Sequence, residues 1–198
     1  MNAELARLGA ATVYEAAGRQ GLVDVEFKQF PPGARACGPA RIARCGQDDN
    51  LMVHAVMAAL QPGEVLVLTM PEPAPVALLG DLLATQAQVR GAAAVLVDAA
   101  VRDSEDLPLP VWARWVRNRG ATKDIPGELD VPVSVGGATI RPGDLLVLDA
   151  DGVTVVAAER AQEVLEASLA REAKEADKRA KLQAGALSFE LDGLNERV

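Results

Sequence analysis

Histidine is nearly absent from this chain: His54 is the only one. A metal motif built on two histidines of one chain is therefore excluded, and a Ser-His-Asp triad would have to use His54. That residue sits among Met52, Val53 and Met57, so a structural role is expected for it. Cysteine is almost as scarce. Cys37 and Cys45 fit neither a CxxC redox motif nor a zinc knuckle, and they read as buried or semi-buried thiols of a reducing cytoplasm. Aromatic residues make up only 3% of the chain, which leaves the core to aliphatic and small side chains. A surplus of base is missing as well: the net charge is −8. Nucleic-acid binding, which needs Lys and Arg to neutralise phosphates, is not expected. An anionic substrate would be repelled at long range and would have to be captured locally.

No apolar run approaches the roughly 20 residues of a membrane span, and the opening MNAELARLG lacks the regions of a signal peptide. A cytoplasmic protein with no membrane partner is expected. GxSxG, GxGxxG and GxxxxGK[ST] motifs are all missing. None of the five lysines, Lys28, Lys123, Lys174, Lys178 and Lys181, lies in a buried apolar run, which disfavours a Schiff-base mechanism.

What is present is an alternation of elements. A helix is predicted over 3–20 and a strand over 38–45. Asp49 and Asn50 can cap a helix whose apolar face is Met52, Val53, Val56, Met57 and Leu60. A buried strand follows over 64–70, then a proline-rich loop, a helix from about 77 to 90, and a second buried strand over 93–98. This order implies layered α/β architecture. Residues 110–157 carry several short strands punctuated by Gly136-Gly137 and Arg141-Pro142-Gly143-Asp144. From Glu159 to Ala184 the chain is a charged helix, ended by Gly185. It is either a solvated surface helix or an arm for a neighbouring subunit.

Two segments can carry chemistry. In Gly80-Asp81-Leu82-Leu83 a glycine precedes an acid at a helix opening, where backbone N–H groups bind anions. The bland alternative is a capping glycine with a surface Asp. Val101-Arg102-Asp103 lies just past a buried strand, at the end where α/β sheets bind ligands. Asp offers a hard oxygen to magnesium or manganese, and Arg a charged fork to an oxyanion. The alternative there is a surface ion pair of little energetic weight.

The stretches LARLGAATVYEAAGRQGLV, GDLLATQAQVRGAAAVLVDAAVRD, PVWARWV, RPGDLLVLDADGVTVV and REAKEADKRAKLQAG together resemble bacterial 4-hydroxy-4-methyl-2-oxoglutarate and 4-carboxy-4-hydroxy-2-oxoadipate aldolases. These are class II pyruvate aldolases that also decarboxylate oxaloacetate. The resemblance covers nearly the whole chain, and its most specific part is the spacing from GDLL to VRD. It implies an α-β-β-α sandwich of the regulator of ribonuclease activity A type, with residues 1–158 as one catalytic domain. Residues 159–198 would then be a helical arm and tail packing on a neighbouring subunit. It also implies trimers or hexamers with active sites between subunits, and a magnesium or manganese cofactor.

Carried over by position, Gly80, Leu82 and Leu83 would hold the pyruvyl carboxylate through their backbones, with Asp81 beside them. Arg102 would contact the keto oxygen, and Asp103 would ligate the metal directly. Asp81, and Glu175 from a neighbour, would hold the metal through water. The regulator of ribonuclease activity A shares the fold without known aldolase activity, and it resembles the family with the metal Asp replaced and the arm shortened. This chain keeps Asp103 and Glu175, but its loop Pro71–Ala77 and its tail after Gly185 depart from the family pattern. The alternatives are therefore a regulator that binds an RNA-processing enzyme, or a different metal lyase or isomerase on the same scaffold.

Overall fold

In a computed structural model of the chain, which describes residues 1–197, the helix predicted over 3–20 is two helices, α1 (Asn2–Leu8) and α2 (Ala10–Ala16). The break is at Gly9, whose φ of 87° is open to glycine. A Cβ there would lie 2.7 Å from Asp149 Oδ2, and the same oxygen accepts the Ala10 N–H at 2.8 Å. A distant carboxylate thus starts α2, which no local pattern announces.

Strands β1 (Lys28–Phe30) and β2 (Ala36–Arg44) lead to α3 (Leu51–Val56) and β3 (Val65–Thr69). Next come β4 (Ala77–Leu79), α4 (Asp81–Val89), β5 (Ala94–Val101) and β6 (Val111–Val116). The helix expected from about 77 therefore begins only at Asp81. Its first predicted residues are the buried strand β4, which runs parallel to β5 with Ala77 opposite Ala100 and Leu79 opposite Val101. Tertiary pairing overrides the local pattern here. Short strands β7 (Glu128–Leu129), β8 (Val133–Val135) and β9 (Ala138–Ile140) precede the hairpin of β10 (Leu145–Asp149) and β11 (Gly152–Val156). A 3-10 turn at Ala158–Arg160 then leads into α5 (Ala161–Gln183), followed by α6 (Ser188–Leu191).

The main sheet runs β1-β6-β5-β3-β2-β10-β11, with β4 beside β5 and β7 beside β2; β8 and β9 pair separately. β2, β3, β5 and β6 are parallel, and β10 joins β2 antiparallel. The period-2 rule explains the layers. Leu66 and Leu68 of β3, with Val95 and Val97 of β5, face α3 and α4. Val65, Val67, Ala94 and Leu96 face inward and meet Leu146, Leu148, Val153 and Val155 of β10 and β11. Leu145 and Val147 turn to the other side and meet α1, α2 and α5. The sheet is curled around a central core with helices outside each half, which is the predicted α-β-β-α sandwich. Strands covered on both faces need the near-continuous Val, Leu and Ala runs seen here.

Both cysteines are buried and free. Burial pushes each thiol up to about 12, so neither is a thiolate at neutral pH. Among the described residues, no helix is long and apolar enough to cross a membrane.

Helix α5 is anchored over its first half. Ala161, Val164 and Ser168 are buried, and Arg7 of α1 grips Glu172 with two hydrogen bonds of 2.6 and 2.7 Å. Beyond Ser168 no described residue is buried, and Leu182, Leu187, Phe189 and Leu191 are exposed.

Candidate active site at the carboxyl end of β4 and β5

The parallel strands β4 and β5 end side by side. Gly80 and Arg102 are the residues that follow them, and the Arg102 N–H donates to Leu79 O at 3.1 Å. This brings the two segments singled out in the sequence into contact. Gly80 caps α4 in an extended conformation, without a side-chain cap. The first-turn N–H groups of Asp81, Leu82 and Leu83 therefore have no intrahelical acceptor, and the helix dipole makes that end attractive to anions. Glycine at position 80 leaves room for the side chains of Arg102 and Asp103 and is not demanded by its φ. A Cβ there would lie 2.7 Å from Asp103 Oδ2 and 3.1 Å from both Cγ and Nε of Arg102.

Asp103 adopts φ 53°, in the left-handed region that Asp tolerates better than most residues. Its Oδ2 lies 3.4 Å from the Asp81 N–H nitrogen and 3.4 Å from Arg102 Nε. Both contacts are long, so the carboxylate is not saturated by the chain. Its side chain is 39% exposed and that of Arg102 52%, leaving both open to a ligand.

A cleft of about 190 Å³ lies here, which suits a small metabolite. Gly80, Asp81, Leu82, Leu83 and Arg102 form one side, while Gly120, Ala121 and Lys123 form the other, with Asn50 and His54 between. Asp103 is not in the lining itself but touches it through Gly80 and Arg102. The structure thus assembles every expected site residue of this chain except Glu175. That residue lies on α5, pairs with Arg171 at 2.8 Å and faces a separate groove beside Leu8 and Thr12.

His54, expected to be structural, is instead exposed in the cleft. α3 buries Val53 and Val56, and the turn after it buries Met57 and Leu60, while His54 falls outside this apolar set. Sequence reasoning also missed the second wall. The segment from Arg119 to Ile125 runs alongside β4: Ala77 donates to Arg119 O at 2.8 Å, and Asn50 donates to Thr122 O at 2.9 Å.

Asp49 ties that wall down. It is fully buried and accepts from Thr122 Oγ1 at 2.7 Å, Asp124 N at 2.6 Å and Ile125 N at 3.1 Å. Its other oxygen caps α3 through the Leu51 N–H at 2.8 Å, the one role the sequence suggested. Burial alone would raise its pKa, but the bonds from Thr122, Leu51, Asp124 and Ile125 outweigh it and hold the carboxyl down to about 2. The stability this contributes is therefore present above the ordinary Asp pKa of about 4 and lost as pH falls through about 2. Asp49→Ala will strand these donors and lower stability by about 2–4 kcal/mol. It will also flatten the wild-type loss of stability between pH 4 and 2, as measured by urea unfolding across that range. An unchanged pH profile would show that Asp49 is not the tether.

The RraA-like family, described as Aldolase/RraA, matches residues 10–155. The chain belongs to that family. A Halalkalibacterium halodurans protein named provisionally as 4-hydroxy-4-methyl-2-oxoglutarate aldolase is 37% identical over 150 residues, 74% of this chain and 71% of the relative. Among solved structures, Streptomyces coelicolor RraAS2 is titled an unusual member of the RNase ES inhibitor RraA protein family. It is 30% identical, covers 89% of this chain and 94% of its own, and superposes with a TM-score of 0.78. The RNA-processing inhibitor RraA from Thermus thermophilis is 36% identical over 66% of this chain and 80% of its own, with a TM-score of 0.61. The fold and the family expected from the sequence are borne out. The family's relatives bear names of two kinds, one catalytic and one regulatory.

Proposed function

We propose that this cleft is the active site of a divalent-metal-dependent lyase. Its substrates are 4-hydroxy-2-oxo acids such as 4-hydroxy-4-methyl-2-oxoglutarate and 4-carboxy-4-hydroxy-2-oxoadipate, cleaved to pyruvate and a second oxo acid. The observation that carries this reading is the meeting of three groups at Gly80: the first-turn N–H groups of α4, which have no intrahelical acceptor, the exposed Arg102 guanidinium and the unsaturated Asp103 carboxylate.

Among the described residues no three His, Cys, Asp or Glu side chains are grouped to hold a metal ion. One open carboxylate nonetheless fits magnesium or manganese, which keep several waters and take further oxygens from substrate. Asp103 would hold the ion directly, with Asp81 and a neighbouring copy's Glu175 holding it through water. When bound, the metal supplies a Lewis acid for the 2-oxo group.

The chain's own groups do the rest. The α4 N–H groups bind the pyruvyl carboxylate, offsetting the repulsion from a protein of net charge −8. As the C3–C4 bond breaks, its electron pair moves onto C3 and into the C2 carbonyl, and Arg102 stabilises the resulting enolate. The 4-hydroxyl gives up its proton towards Asp81 as C4 becomes a carbonyl, and a proton returned to C3 completes pyruvate. Oxaloacetate would lose carbon dioxide to give the same enolate, with no hydroxyl proton to remove.

Residues 1–158 carry the cleft in this reading, and residues 159–198 form an arm that docks on a neighbouring copy in a trimer or hexamer. The exposed apolar side chains of Leu182, Leu187, Phe189 and Leu191 support such docking. The two buried free thiols suit a reducing cytoplasm.

Pyruvate release from 4-hydroxy-4-methyl-2-oxoglutarate and from oxaloacetate tests the proposal. Both substrates should turn over with magnesium or manganese, and EDTA should abolish both reactions. Turnover of neither substrate with either metal would overturn it. The second reading, a regulator that binds an RNA-processing enzyme, would then stand. It draws on the 30% identity to a member of the RNase ES inhibitor family over 89% of the chain.

A further inference from the structure

The far wall of the cleft looks onto Arg102 through Gly120. A Cβ at Gly120 would lie 3.4 Å from Arg102 Nη1, and among the described residues it would meet no other heavy atom within 4 Å beyond its chain neighbours. A side chain at this position would therefore grow into open space, with the guanidinium beside it. Gly120 is exposed and lines the cleft together with Arg102.

Two common reasons for glycine, a left-handed φ and tight packing, do not apply here. The φ of Gly120 lies outside the left-handed region. No packed neighbour excludes a Cβ either. Gly127, further along the same connector, is different: a Cβ there would lie 2.1 Å from Arg44 O. What a side chain at 120 would occupy is the space in front of Arg102, and the wall is held against retreat. Ala77, at the start of β4, donates to Arg119 O at 2.8 Å and bridges Gly120, while Leu79, at the end of β4, accepts from the Arg102 N–H at 3.1 Å. One short strand thus sets the spacing between Gly120 and Arg102.

We infer that Gly120 is a specificity-determining residue of the cleft: its missing side chain keeps the Nη1 end of Arg102 open to a ligand oxygen, and the size of the residue at 120 sets what can reach that cation. The inference rests on the lyase reading for the identity of the ligand, whose 2-oxo group is the oxygen concerned. Access to Arg102 itself can be measured without turnover. Because Gly120 acts through Arg102, bulk at 120 matters only while the guanidinium is there to be covered.

Two measurements on wild type, Gly120→Ala and Gly120→Val test it. The first is labelling by phenylglyoxal, a dicarbonyl that condenses with guanidinium groups, followed by mass spectrometry. Arg19, whose side chain is 71% exposed and lies outside the cleft lining, is the internal reference. Labelling of Arg102 relative to Arg19 should slow by roughly tenfold in Gly120→Val and by less in Gly120→Ala, in order of size. The second is kcat/KM for oxaloacetate and 4-hydroxy-4-methyl-2-oxoglutarate. It should fall by about a hundredfold in Gly120→Val, close to the loss of the guanidinium itself. Added to Arg102→Ala, the valine should cost no more than about a further twofold. If Gly120→Val does not fold, Gly120→Ala carries both comparisons. Undiminished labelling of Arg102 in a folded variant, or the same loss from bulk at 120 with and without Arg102, overturns the inference. Wild type inactive on both substrates would sink the lyase reading instead, and slowed labelling would still establish Gly120 as the opening onto Arg102.

Discussion

Asp103→Asn will lower metal-dependent pyruvate release by about a thousandfold with both substrates and leave the unfolding transition unmoved. The substitution isolates the charge. Asparagine tolerates the left-handed φ of 53° at this position, where alanine would add strain. The side chain is 39% exposed, and both its contacts are 3.4 Å long, so the fold gains little from them. A neutral amide oxygen is a much weaker ligand than a carboxylate for a hard divalent cation. Loss of a Lewis acid worth several kcal/mol corresponds to about three powers of ten in rate. Full activity in Asp103→Asn, with unchanged magnesium dependence, would remove Asp103 from the site.

Arg102→Ala will cost about a hundred- to a thousandfold in kcat on both substrates, because the two proposed reactions share one enolate. Steady-state kinetics on the two substrates in parallel measures this. Arg102→Lys will recover only part of the rate, since an ammonium ion lacks the planar fork of a guanidinium. The fold will not suffer. Arg102 is half exposed, and its only ionic partner among the described residues is its neighbour Asp103. The essential distinction is between the two substrates: a loss confined to the hydroxy-oxo acid would place Arg102 at the distal end rather than at the pyruvyl end.

Much of the site was legible in the sequence because its parts are local. GDLL opens a helix, VRD follows a buried strand, and strand ends are where α/β sheets bind ligands. That Gly80 and Arg102 should touch required only that β4 and β5 be neighbours. Yet β4 itself was not visible: three apolar residues before a helix read as its first turn until they pair with β5. The second wall was hidden for a deeper reason. Asp49 looks like a helix cap, and it is one, but its other oxygen reaches Thr122, Asp124 and Ile125 far along the chain. A single carboxylate serving both a local and a distant partner leaves no periodic trace. His54 was misjudged because its neighbours are apolar, although its own position on α3 points away from their face. The arm was legible as a helix, while its purpose depends on a second molecule.

The two sides of the cleft differ in how freely they can change over generations. Gly80, Arg102 and Asp103 grow from the ends of strands that belong to the core, so their positions are inherited with the scaffold. The segment from Arg119 to Ile125 is a connector between β6 and β7, moored by Asp49 and Asn50, and its Gly120 and Lys123 are exposed. Substitutions there leave the sheet intact as long as the moorings remain. A lineage built on this fold can therefore change what the far wall presents to the cleft by drift in one short connector.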